Sequence, residues 1–428
     1  MTAPTPPPSP APRTRFSVRI RVQIGLILVV SLATLVCTWQ FSQAGGSYQD
    51  AVREDVKRQA AVQEDVRHLY ADEAPPAFLV TAEEARAEAL SALGKGNELA
   101  VSENELASRT AFSLRHAAPP GLLVGNDTYL TRNLGYDVPR RLADAQERSP
   151  EVYALNPDAT LREGDRWASW GLVSAGIAGA AVIAAAVAAG VLRPPAWRRP
   201  TPPGVRVLRE PEIIPQPATA SSDGRRSVWC HLAVFCLLFF LPLGQLAAAG
   251  SEQRAQAQAA RRAVQLTTDI AASGERSAFL TRSVQTAHVA DIRAAVRTTL
   301  ALDTQQARDT RPELEVARAE TAVAAQLRRM AEYMGRAPVR ADGVDPATVR
   351  ALSAEPEQWP AMTAEQNRQV TLGEQAGNRA LLLAAATAIG IVAEYLMAAA
   401  IAARRRRWLR WPAAAAALSV ALAAVAYV

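Results

Sequence analysis

Residues 228–250 read VWCHLAVFCLLFFLPLGQLAAAG, 23 positions without a single Asp, Glu, Lys or Arg. A helix rises about 1.5 Å per residue, so about 20 apolar residues cross the ~30 Å hydrocarbon layer of a bilayer. In lipid each backbone N–H and C=O must find its partner within the segment, which makes such a run a helix. Working outward, four more runs have this character, near Val22–Phe41, Ser169–Leu192, Ala380–Ala402 and Leu409–Val428. Their only charged residues are Glu394 and Arg410. The sequence therefore predicts an all-α integral membrane protein with five transmembrane helices. The competing reading, a helix buried in a protein core, fits the Ala-rich last run best.

Charge predicts the orientation. Residues 1–21 carry Arg13, Arg15, Arg19 and Arg21 and no acid, and residues 193–227 carry 7 basic and 3 acidic side chains. The turn 403–408 holds Arg404–Arg407, and Arg410 follows it. The two long polar segments differ: 43–168 has 14 basic and 21 acidic residues, and 251–379 has 17 and 16. Short arginine-rich pieces stay cytoplasmic. This places the N-terminus inside, the C-terminus outside, and both long segments on the outer face of a multi-pass plasma-membrane protein. Trp39, Phe41, Trp167, Trp170, Trp229, Trp408, Trp411 and Tyr427 fall at the expected interfaces. The 20-residue first run suits an uncleaved anchor. A cleaved signal peptide, with Ser42-Gln43-Ala44 as its small-residue site, is the alternative.

Composition narrows the class. Of 47 basic residues only Lys57 and Lys95 are lysine, an Arg and Ala bias that resembles a high-GC bacterial genome. The net charge of +6 is dispersed, which argues against a nucleic-acid surface. Cys37, Cys230 and Cys236 all lie in apolar runs, so no disulfide framework holds the polar segments. The N-terminal tail (1–21) and the linker 193–227 are Pro-rich and read as disordered tail and extended spacer.

The layout of span, long polar segment and span occurs twice, with segments 43–168 and 251–379 of nearly equal length. Gly46-Ser47 and Gly250-Ser251 follow the first span of each half. Ala77-Phe78-Leu79 and Ala278-Phe279-Leu280 stand about thirty residues later. The pattern predicts an internal duplication with two extracytoplasmic helical bundles, the fifth span lying outside the repeat. Prolines cut the first bundle into helices near 47–72, 82–117 and 139–149. The second reads as helices near 252–273, 275–303, 312–334 and 361–379. Val264, Ile270, Phe279, Val284, Ile292, Val296 and Leu300 form its apolar stripe. Neither segment alternates like a strand.

Catalytic signals are missing. No GxxxxGK phosphate loop, GxSxG turn or HExxH pair occurs, and no cofactor or metal is expected. Glu64, His68 and Asp72 share one helix face, which reads as a solvated surface. Glu394 is the lone intramembrane carboxylate and must face another helix or be neutral. Gly171, Ala175 and Gly179 let helices approach closely in lipid, an association face compatible with a homo-oligomer.

One string carries a resemblance. Gly274-Glu275-Arg276-Ser277-Ala278-Phe279-Leu280 resembles the Glu-Arg-x-Ser-x-x-aromatic-Leu stretch of nitrate- and nitrite-sensing extracytoplasmic domains of bacterial receptors, with the serine and aromatic falling early. The resemblance implies an all-helical bundle between two membrane helices. It also implies a small-anion ligand at Arg276, with Glu275 and Phe279 beside it. The first segment lacks the Glu-Arg pair. The expected function is non-enzymatic: a sensor-like or scaffolding membrane protein passing its signal to a separate membrane or cytoplasmic protein. A transporter or channel component is the alternative.

Overall fold

Pro75-Pro76 and Gly274 stand just upstream of the two Ala-Phe-Leu strings, and they shape the chain differently. The computed structural model describes residues 18–119, 121–132, 135–191, 222–303, 310–402 and 410–427. The expected N-terminal tail, the linker and the turn 403–408 lie essentially outside the described residues. About 89% of the described residues are helical. Helix α1 runs Val18–Arg67 and passes into a π-helical turn, His68–Glu73. Pro75 and Pro76 open α2 (Ala74–Ser91). Neither proline offers an N–H, and their rings crowd the carbonyls one turn back. The preceding turn widens, and the Ala74 N–H reaches Leu69 O five residues back. Gly274 produces no break. It costs about 1 kcal/mol relative to alanine in a helix, and α7 continues unbroken through it over Ser222–Asp303. The expected boundary at 274 does not exist.

The remaining helices are α3 (Glu98–Ala117), α4 (Val138–Gln146), α5 (Pro150–Tyr153), α6 (Pro157–Val191), α8 (Arg311–Met334), α9 (Pro346–Ser353), α10 (Trp359–Ala402) and α11 (Arg410–Val425). Against the expectation of no strand, Leu130–Thr131 pairs antiparallel with Gly135–Tyr136. The two halves close in the same order. Asp137 caps α4 by accepting the Arg140 N–H, and Asp345 caps α9 by accepting the Ala347 N–H. A Pro-Glu turn follows in each half, Pro150–Tyr153 and Pro356–Gln358, and then a long helix, α6 or α10.

The chain divides into two compact units. The first comprises Met1–Asp50, Asp158–Ala257 and Gln369–Val428. Among the described residues four helices, α1, α6, α7 and α10, are long and apolar enough to cross a membrane, and α11 is apolar but shorter at 16 residues. Leu28, Leu32, Leu35, Leu172, Val173, Ile177, Ile391 and Val392 point outward in this unit. Its inner contacts are small and tight. Cys37, Phe41 and Leu243 pack together with Ala175, and Leu241, Leu383, Ala386 and Ala426 form a second cluster. The Ser419 hydroxyl donates to Ala386 O at 2.7 Å, tying α11 to α10.

The second unit comprises Ala51–Pro157 and Gln258–Arg368. The two polar segments thus build one unit, not two bundles. Each alone is Ala-rich and too thin for a core of its own. Together they bury Tyr70, Phe78, Tyr136, Leu142, Phe279, Leu327, Met330, Met334 and Leu352. The two matched phenylalanines meet here: Phe78 and Phe279 are edge-to-face at 6.2 Å between centroids. Buried ion pairs join the segments, Arg86 to Glu320 at 2.8 Å and Arg261 to Asp55 at 3.1 Å. The expected apolar stripe is wrong in all but one residue. Phe279 is buried, whereas Ile270, Val284, Ile292, Val296 and Leu300 are exposed and Val264 is intermediate. Alanines at 272, 287, 290, 294 and 301 take the inner face of α7. Large side chains would hold the helices apart there.

Candidate ligand site

The π-turn widens the backbone at His68–Glu73 and leaves Leu69, Tyr70 and Glu73 buried. Tyr70 is 1% exposed, and its ring lies 5.9 Å from that of Phe279. Its hydroxyl has no hydrogen-bond partner. A buried polar group left unpaired costs about 1–3 kcal/mol, so such an atom asks for an explanation.

Arg276 precedes Phe279 by three residues and so shares its side of α7. It is half-buried, and its Nε–H is buried without an acceptor. Arg336 follows the end of α8. Its Nη1 and Nη2 donate to Asp342 at 3.1 and 3.0 Å, while its Nε–H is also buried and unpartnered. Both guanidinium groups are close enough to act on Tyr70. Burial pushes the Tyr70 phenol well above its ordinary range, and the positive charges of Arg276 and Arg336 oppose that rise. Asp342 adds to the rise from the other side. Three buried donors therefore lack partners, two of them on cations whose charge acts on the third, Tyr70. Such a set suits a small anion, since guanidinium matches planar oxyanions.

Other buried donors lack partners, at Arg58, Arg115, Arg141 and the Trp359 indole. Each of those arginines is held by a carboxylate, Asp345, Glu84 and Glu73 respectively, as Arg336 is by Asp342. Arg276 pairs with no carboxylate among the described residues. Glu275 is half-buried, and its charge acts on Arg67 of α1. Adjacent helical residues point about 100° apart, which separates the Glu-Arg pair. Phe279 is a core residue that backs Tyr70. Of the residues the sequence singles out, Phe279 packs against Tyr70 and the charge of Arg276 acts on it; the sequence does not single out Tyr70 or Arg336. Pro75-Pro76 was the available signal for Tyr70. Nothing local marks Arg336.

The remaining candidates fall elsewhere. His68 Nδ1 is 3.3 Å from Asp72 and Nε2 is 3.2 Å from Glu73, which is itself held by Arg141 at 2.6 Å. Among the described residues no three His, Cys, Asp or Glu side chains form a metal-ligating group. Glu394 is half-buried on α10. Gly171, Ala175 and Gly179 do mark a close approach, but within the chain. A Cβ at Gly171 would stand 3.0 Å from the Phe41 ring, and one at Gly179 would stand 2.6 Å from Phe240. This face of α6 is therefore occupied by α1 and α7.

No protein-family model, curated protein or solved structure matches the chain.

Proposed function

We propose that this chain is an integral membrane protein whose polar unit is a receptor for a small oxyanion, and that it reports occupancy to a separate signalling protein. The apolar helices span the bilayer, α11 among them. Residues 1–21, 193–227 and 403–408 face the cytoplasm, and both polar segments lie outside. The repeated order of elements supports an old duplication of a span–segment–span unit. The observation that carries the ligand reading is the Tyr70 hydroxyl, buried without a partner and under the positive charge of Arg276 and Arg336. Nitrate and nitrite are the first anions to test, because the Glu275-Arg276 string resembles domains that sense them. Helices α1, α7 and α10 each contribute residues to both units. Reordering the π-turn or α7 on binding is then a change in a helix that also carries an apolar span.

Thermal unfolding of the purified full-length chain in lipid nanodiscs, with nitrate, nitrite, sulfate and chloride titrated, tests the ligand. A rise in melting temperature with nitrate or nitrite, lost in Arg276→Ala, is expected. Equal response to every salt, or an undiminished response in Arg276→Ala, rules the site out. The topology has its own test. Cysteines at Ser102→Cys and Arg318→Cys should react with an impermeant thiol reagent on intact cells. Protection until lysis would reverse the orientation.

A further inference from the structure

Between residues 281 and 302, α7 is built inside out. Its inner seam is small: Ser283, Ala287, Ala290, Ala294 and Ala301 are buried. Its bulky apolar residues face outward: Val284, Val289, Ile292, Val296, Leu300 and Leu302 are each 45–55% exposed. The outward positions 281, 285, 288, 292, 295, 299 and 302 alternate in steps of four and three, the spacing of a coiled-coil seam. They read Thr, Gln, His, Ile, Ala, Thr and Leu, with no charged residue among them. Arg282 and Arg293 stand at the edge of the face.

We infer that this face of α7 packs against the same face of a second copy of the chain, as a parallel two-helix seam. Two observations and the proposed shared membrane select a second copy. Two-fold packing sets each seam residue beside its own copy, so a charge on the seam would repel itself, and this seam has none. Both copies would sit in one membrane, which holds their α7 helices parallel. This orientation rests on the proposed membrane reading. Ile292 and Leu302 lie on the seam and Val284, Val289 and Val296 flank it; at roughly 80 Å² exposed apiece they would bury about 800 Å² in a symmetric contact, and the Thr, Gln, His and Ala seam residues bring the total towards the ~1,000 Å² of a specific interface. Gln285 and His288 supply the polar seam positions that fix a register.

The test uses the full-length chain in nanodiscs. Light scattering should give twice the 45.7 kDa chain mass for the protein component. The double substitution Ile292→Arg with Val296→Arg should return it to monomer, or weaken dimerisation about tenfold or more, with helicity unchanged. In a chain with Cys37, Cys230 and Cys236 changed to Ser, Ile292→Cys should give a disulfide-linked homodimer in membranes on mild oxidation. Arg318→Cys, exposed on α8, should not. A monomeric wild-type mass overturns the inference, whatever the cysteine variants do. So does a dimer that survives the double arginine substitution, or cross-linking at 292 only to a different protein.

Discussion

The half ending at Val191 and the half beginning at Ser222 pass through similar elements, yet they enter the shared core in different ways. The first half breaks its long helix with Pro75-Pro76, widens one turn and buries Tyr70. The second keeps α7 straight through Gly274 and brings Arg276 up to the same region. Their Ala-Phe-Leu strings still meet, Phe78 against Phe279. The lesson is that a similar order of elements need not make a similar site. One half supplies a buried hydroxyl and the other a cation. A single asymmetric region results, and neither segment could form it alone.

The largest effect should fall on the matched phenylalanines. Phe78→Ala and Phe279→Ala should each cost about 3–5 kcal/mol in chemical denaturation of the polar unit, and the double variant less than their sum, because the rings touch. A negligible cost at Phe78 would break the equivalence of the halves. Next comes Tyr70→Phe. Removing an unpaired buried hydroxyl should leave the ligand-free protein unchanged or up to about 2 kcal/mol more stable, while erasing its response to anion. A clear loss of stability without anion would show that the hydroxyl is already satisfied. Gly274→Ala should stabilise by about 0.5–1 kcal/mol, because the glycine lies inside a helix and a Cβ there meets nothing within 4 Å. Destabilisation would mean that the glycine is needed for close packing.

The smallest effect concerns acid. Burial raises the Asp342 carboxyl, but its bonds to Arg336 and to the Val339 N–H outweigh this and leave it below its ordinary range. A carboxylate lowered in the folded state stabilises above its unfolded value and loses that contribution as pH falls through the folded one. The acid limb of the stability curve, below about pH 4, should therefore flatten slightly in Asp342→Asn. An identical slope in both proteins would mean that Arg336 is free of Asp342 in solution.

The sequence makes the helical class legible because apolar runs of twenty residues leave the backbone no alternative in lipid. The similar order of elements in the two halves has a counterpart in segment lengths and a three-residue string. The single shared core is not, since only packing reveals that two thin alanine-rich segments need each other. The direction of the α7 stripe misleads for a related reason. Periodicity shows that bulky residues share a face, yet the inner face went to alanines that allow close approach. At the candidate site, Arg276 was readable from its neighbours, but Tyr70 depends on a helix register and Arg336 on a chain return from α8.

A double-mutant cycle on Arg86 and Glu320 addresses the shared core most directly. Arg86 belongs to the first polar segment and Glu320 to the second, and Glu320 is 1% exposed. If one unit contains both, Arg86→Ala and Glu320→Ala should be coupled by about 1–3 kcal/mol within a single unfolding transition. Additive losses, or two transitions each sensitive to only one of the substitutions, would contradict it.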